Sequence, residues 1–200
     1  MFNKYILFVF CAAAMASCKD NSATTATTET AQNTQVEIQR PPVQSSLSEE
    51  QSKVLVATLS SYYKLKDALV TTSDTKTKEA AIGLHLISDS LYKSAANDVP
   101  KDTKANPLAA SLDTIITQSK NISEINDPTC EKQRVAFELV SSAMYGLLKK
   151  AELKNAGVYH QYCPMAFNDK GAYWLSDVSD IKNPYFGKKM LECGEVTDSL

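Results

Sequence analysis

The sequence predicts a mainly α-helical protein: an antiparallel four-helix bundle followed by a small C-terminal β-hairpin and loop appendage. Three observations point there. Four stretches of similar length carry apolar residues every three to four positions, short polar loops separate them, and after Gly157 the pattern shifts to alternation.

The first helix opens on Ser48-Glu49-Glu50-Gln51, which has the form of a capping box with acidic residues in the first turn. Leu55, Leu59, Tyr62, Lys66 and Leu69 then fall on one face, extending it to about Val70. A second helix starts at Ser73 or Asp74, carries Ala80, Leu84, Ile87 and Leu91, and ends before Pro100; Gly83 weakens it or lets another helix approach closely. Asn106-Pro107 reads as an N-cap followed by proline at the first helical position, with Leu108, Leu112, Ile115, Ser119 and Ile122 continuing the third. Asp127-Pro128 repeats that signal for a fourth, which runs to about Lys154. Its inward face is Phe137, Val140, Met144, Leu147 and Leu148, and Lys149, Lys150 and Lys154 suit the helix dipole at its end. In the appendage, Val158, His160 and Tyr162 alternate with Tyr159 and Gln161. The turn sequence Asn168-Asp169-Lys170-Gly171 then leads into Ala172-Tyr173-Trp174-Leu175, as a hairpin requires.

Ahead of the bundle lie two segments of another kind. Lys4 precedes an uncharged apolar run from Tyr5 to Ala16, and small residues come just before a cysteine at Met15-Ala16-Ser17-Cys18. That is the layout of a lipoprotein signal peptide over residues 1–17, with Cys18 as the lipid-bearing first residue of the mature chain, and the run is too short to span a membrane. Residues 18–46 are rich in Thr, Ser, Ala, Gln and Asn and cannot bury enough surface to offset ordering, so they predict a tether to the lipid surface. The folded domain is then 47–200, its Cys- and Met-bearing segment being 157–196. Loss of Lys4 with the signal takes the formal net charge from -2 to -3, which leaves no basic excess and argues against nucleic acid as a partner. Export to the cell envelope, on its periplasmic face or at the cell surface, tolerates disulfides.

The chemistry concentrates in 157–196. His160-x-x-Cys163-x-Met165 and Met190-x-x-Cys193 place two thiols, two thioethers and an imidazole in two short clusters, and soft sulfur donors select soft ions, copper(I) above all. Cys163 and Cys193 can equally form a disulfide that clamps the C-terminal loop, since the compartment permits both. Cys130 falls in the first turn of the fourth helix, where the dipole would lower its pKa. Met144 reads as core, His85 as a structural or solvent-facing residue, and Arg134 as the partner of a surface carboxylate. No phosphate-binding glycine loop, nucleophile elbow or His-Glu-x-x-His helix is present, so an enzyme is not expected.

Tyr159 to Ala166 (Tyr-His-Gln-Tyr-Cys-Pro-Met-Ala), Tyr173 to Ser176 (Tyr-Trp-Leu-Ser), Ile181 to Gly187 (Ile-Lys-Asn-Pro-Tyr-Phe-Gly) and Met190 to Val196 (Met-Leu-Glu-Cys-Gly-Glu-Val) resemble the motifs of a bacterial domain-of-unknown-function family. Tyr63 to Val70 and Gln133 to Ser141 resemble its helical motifs, so the likeness spans about Leu47 to Val196. Members of that family include small lipoproteins and C-terminal extensions of periplasmic adaptor subunits from heavy-metal efflux systems. The resemblance implies copper or related metal handling in the envelope, with motif positions at Cys163, Met165, Met190 and Cys193 but not at Cys130 or His160.

Two functions follow as expectations. In the first, a lipid-anchored protein binds copper(I) and sequesters it or passes it to an efflux adaptor or metallochaperone; the thiolates of Cys163 and Cys193 are retained ligands and His160 or Met165 the labile one. In the second, the domain is an interaction module without metal, and Cys163 and Cys193 form a structural disulfide.

Overall fold

The structure, a computed structural model, describes residues 41–97 and 108–200. The signal segment, Cys18, the tether up to residue 40 and the Asn106-Pro107 start signal lie outside the described residues. No helix among those described is long and apolar enough to cross a membrane.

Four long helices, α1 (Glu49–Val70), α2 (Asp74–Asn97), α3 (Ala109–Glu124) and α4 (Glu131–Lys150), precede a three-stranded antiparallel sheet of β1 (Tyr159–Cys163), β2 (Ala172–Ser176) and β3 (Glu195–Ser199) in the order β2-β1-β3. Each helix packs on the next along the chain, and α4 packs on β2. On α1, α3 and α4 the periodic faces are the buried ones, whereas on α2 Leu84 and Leu91 are buried but Ala80 and Ile87 only half-buried, the buried face running instead through Ala81 and Ser88. Leu55, Leu59, Tyr62, Lys66 and Leu69 are all buried on α1, as are Leu112, Ile115, Ser119 and Ile122 on α3 and Phe137, Val140, Met144, Leu147 and Leu148 on α4. They share one core with Trp174, Leu175 and Tyr185 of the appendage.

Local signals explain the ends. Ser48 and Gln51 form the reciprocal capping box, each side chain accepting from the other's backbone N–H. The Asp127 signal works differently from expectation. Its carboxylate accepts from the N–H groups of Thr129 and Lys132 at 3.0 and 2.9 Å, and these bonds hold it at a pKa of about 2. The chain turns between Asp127 and Cys130, however, so α4 begins only at Glu131, with Cys130 at φ 59 as its left-handed N-cap. The helix also stops at Lys150 rather than Lys154, because Lys154 is engaged elsewhere, in a backbone bridge to Gln44. Ser46 N–H likewise donates to Ala151 O at 2.8 Å, and Asn155 Nδ2 to Pro42 O at 3.2 Å, so the ordered domain takes in residues before Leu47.

The hairpin is β1 against β2, in the register Gln161↔Trp174. β3 is a third strand that alternation did not reveal: Glu-Val-Thr-Asp-Ser has one large apolar residue, and the strand is mostly exposed. Thr197 bulges out of the β1–β3 pairing and its hydroxyl donates to His160 O at 3.0 Å. The other edge, on β2, is closed by tyrosines: Leu175 N–H donates to the Tyr62 hydroxyl at 3.1 Å, and the Tyr185 hydroxyl donates to Tyr173 O at 2.5 Å. Lys66, 2% exposed, reaches from α1 to Ser176 Oγ and to the carboxylates of Asp67 and Asp177.

One further expectation is refined and another corrected. Arg134 does pair with a surface carboxylate, Glu131 at 3.8 Å, but it is itself 3% exposed and its hydrogen bonds go to backbone carbonyls and the Thr72 hydroxyl. Burial beside Thr77 pushes the Cys130 thiol up rather than letting the dipole lower it.

Candidate functional site

The appendage is held to the helices by a loop that sequence pattern alone leaves irregular. Asn183 organises it. Its side-chain oxygen accepts from the N–H groups of Tyr185 and Phe186 at 2.7 and 3.2 Å, its Nδ2 donates to Cys193 O at 2.7 Å, and its own N–H donates to Leu191 O. An asparagine before proline does this because its short amide imitates a turn of backbone. Arg134 then fastens the loop to the bundle: Nε donates to Pro184 O at 2.8 Å, and the two terminal nitrogens to Thr129 O, Leu69 O and Thr72 Oγ1. Gly187 sits beneath that contact at φ +54, where a Cβ would come within 2.6 Å of Thr72 Oγ1 and 3.0 Å of Val70 O.

This scaffold brings the two sulfur-bearing segments together. Cys163, at the end of β1, is bonded to Cys193 as a disulfide, with Cα atoms 5.7 Å apart. Met165 lies two residues past the one cysteine and Met190 three before the other, where Cys193 N–H closes a turn onto Met190 O at 3.2 Å. Both methionines line one groove, together with Phe167, Tyr185, Phe186 and Val135. Met165 is 48% exposed, whereas Met144 is fully buried in the core. A run of three left-handed residues, Phe167, Asn168 and Asp169 (φ 53, 57 and 63), shapes one wall of the groove. None of the three is glycine, so this wall carries local backbone strain.

His160 is not part of the cluster. Strand alternation puts it on the opposite face of β1 from Cys163. There its imidazole stacks between Tyr145 and Tyr173 at 3.9 and 4.6 Å, with Nδ1 3.3 Å from Thr197 Oγ1. Burial lowers its pKa, against the pull of Asp198, and the Asp198 carboxylate accepts from the Tyr145 hydroxyl at 2.7 Å. Occupation of both ring faces fits a structural role. Among the described residues, no group of three or more His, Cys, Asp or Glu side chains is placed to hold a metal ion. In the disulfide form the two cysteines are not thiolates, so the expected five-residue ligand set is not assembled: Cys163 and Cys193 are bonded to each other, Met165 and Met190 share a groove, and the imidazole lies on the other face of β1.

Sequence reasoning missed Asn183 and Arg134 as the residues that position this site. The Asn-Pro pair was a readable turn signal, but the acceptors of Arg134 come from three separate segments, and no spacing within one helix announces them. His85, expected to be structural or solvent-facing, is half-buried with its Nδ1 3.1 Å from Ile116 O between α2 and α3.

Residues 58–156 match the family described as "Protein of unknown function (DUF3347)". That stretch covers most of α1 through α4 and ends before β1, so the motifs of the appendage lie outside it. Neither the curated proteins nor the solved structures yield a match.

Proposed function

We propose that this chain, with helices that match a family of unknown function, is a lipid-anchored envelope protein that binds a soft metal ion, copper(I) above all. It holds the ion for sequestration or for transfer to efflux machinery, through an efflux adaptor or metallochaperone. Cys18 carries the lipid, residues 18 to about 40 give reach, and the helices, as an antiparallel bundle, present the appendage. No catalytic step is assigned to it. The observation that carries this reading is the meeting of Cys163-x-Met165 with Met190-x-x-Cys193 in one place, with both thioethers in the same groove. Thiolates supply affinity for a soft ion and thioethers discriminate against hard ones. His160, stacked on the far face, is left out of the ligand set.

Anaerobic titration of the reduced protein with copper(I) against a competing chelator tests the proposal. Tight one-to-one binding that is lost in a Cys163→Ser, Cys193→Ser double variant is expected; the same affinity in that variant overturns it.

The disulfide itself favours a second reading, an interaction module whose appendage is simply stapled. The discriminating measurement is a free-thiol count on protein taken from the cell envelope under alkylating quench. A single free thiol, at Cys130, in every growth condition supports the staple.

A further inference from the structure

We infer that the Cys163–Cys193 bond is a redox gate on the soft-metal site, so that the disulfide is the closed form and the dithiol the form that takes the ion. This rests on the metal-binding reading above. The grounds are architectural. Ties other than the disulfide hold the same two segments in the folded state. Asn183 binds the backbone of Cys193, Leu191, Tyr185 and Phe186. β1 pairs with β3 directly beyond the disulfide, at Tyr162↔Glu195. Between them Gly194, at φ +147, packs so closely that a Cβ would meet Trp174 at 2.7 Å and Tyr162 O at 2.8 Å. Opening the bond therefore leaves the two Cα atoms, 5.7 Å apart, on the same scaffold. Two sulfurs each about 2.3 Å from a common ion fit such a pair. Met165 and Met190, two and three residues along the chain from these cysteines, share one groove.

The two sulfurs are unequal. Cys163 has no exposed surface, whereas Cys193 is half-buried in a turn. Opening proceeds by thiol–disulfide exchange with a dithiol protein of the envelope. A thiolate of that donor bonds to Cys193 Sγ, the Cys163–Cys193 bond breaks, and Cys163 leaves as a thiolate that takes a proton. The donor's second thiolate then attacks its own bonded sulfur and releases Cys193, which is protonated in turn. Two electrons and two protons pass to the protein, and the donor is left as its disulfide. The incoming ion displaces the two thiol protons. Cys130, buried in the bundle beside Thr77, takes no part.

The experiment uses the full chain in its oxidised form and in its anaerobically reduced form, titrated with copper(I) against a competing chelator. Loss of outer partners alone costs a metal site 10–100-fold, so loss of both thiolates predicts binding weaker by more than about 100-fold in the oxidised form. Near-UV circular dichroism of Trp174 should be the same in both forms. Equal tight binding in the two forms overturns the gate and leaves the metal reading standing. Failure of both forms to bind overturns the two together. Collapse of the Trp174 signal on reduction shows the bond to be the sole brace and also overturns the gate. Trapping with a donor variant that lacks its second cysteine should give a mixed disulfide that peptide mass spectrometry maps to Cys193; an adduct on Cys163 overturns the assigned direction.

Discussion

The guanidinium of Arg134 on α4 donates to the carbonyl of Pro184 at 2.8 Å, and this contact joins the helical bundle to the loop that carries the sulfur site. The same side chain serves Thr129 O, Leu69 O and Thr72 Oγ1, so four acceptors from three separate segments converge on one planar fork. A lysine has neither the planarity nor the number of donors. Arg134→Lys is expected to lower stability by about 3 kcal/mol, because buried acceptors are left unmet. Urea denaturation followed by circular dichroism measures it, and a change under about 1 kcal/mol would show that the clamp matters little.

Gly187 and Gly83 should respond in opposite directions to the same substitution. At Gly187 an alanine meets Thr72 Oγ1 at 2.6 Å with φ at +54, so about 1–3 kcal/mol is lost. At Gly83, inside α2, the added methyl makes only an ordinary contact with Ser61 Oγ at 3.8 Å, and stability rises by about 0.5–1 kcal/mol through helix propensity. Thermal midpoints of the two variants beside the parent decide the matter.

The hydroxyl of Tyr62 shares a hydrogen bond with Ser141 at 2.8 Å and accepts from Leu175 N–H at 3.1 Å, all within the core. Tyr62→Phe keeps the ring and its stacking on Phe137 while stranding a buried N–H. The expected cost is about 1–3 kcal/mol. Amide exchange at Leu175 should accelerate selectively, and unchanged protection there would contradict the contact.

Removing the disulfide by a Cys163→Ser, Cys193→Ser change opens a loop of 30 residues. Chain entropy puts the cost at about 3–4 kcal/mol, carried by the unfolded state. The domain should stay folded, with an unchanged near-UV spectrum and a lower denaturation midpoint.

His160 supplies a pH test. Burial depresses its folded pKa below the ordinary 6.5, so the unfolded chain binds its proton first as the pH falls. Its contribution is intact above about 6.5 and is lost as the pH drops from there through the folded value. A His160→Phe variant keeps a ring between Tyr145 and Tyr173 without the titration. Its thermal midpoint should fall less than the parent's between about pH 7.5 and pH 5.5, a difference that calorimetry reads directly.

The helices were legible in the sequence because burial and periodicity coincide. Even Lys66, counted on the apolar face by spacing alone, is buried there, its amine held by Ser176, Asp67 and Asp177 at the sheet end. Helix starts were less legible. Asp127 does cap α4, but from beyond a turn that places Cys130 in the left-handed region, and nothing in the order of residues shows that detour. At the candidate site the pairing of Cys163 with Cys193 was one of the two readings open to the sequence, since a compartment that tolerates disulfides permits it. The exclusion of His160 was not read, although strand alternation contained it: residues 160 and 163 differ by an odd number and so face opposite ways. That Arg134 meets a surface carboxylate was legible, but its backbone carbonyl acceptors carry no sequence signature.

The tyrosine caps on β2 bear on how the protein survives its own synthesis. Tyr62 and Tyr185 satisfy Leu175 N–H and Tyr173 O from outside the sheet, and they come from α1 and from the loop after Asn183. An edge strand with free backbone groups is a template for pairing with another chain. Until both α1 and that loop have docked, the β1–β2 hairpin presents such a template. Aggregation during folding is therefore governed in part by Tyr62, 113 positions away from the residue it guards, and Tyr62→Phe should lower soluble yield more than its stability loss alone implies.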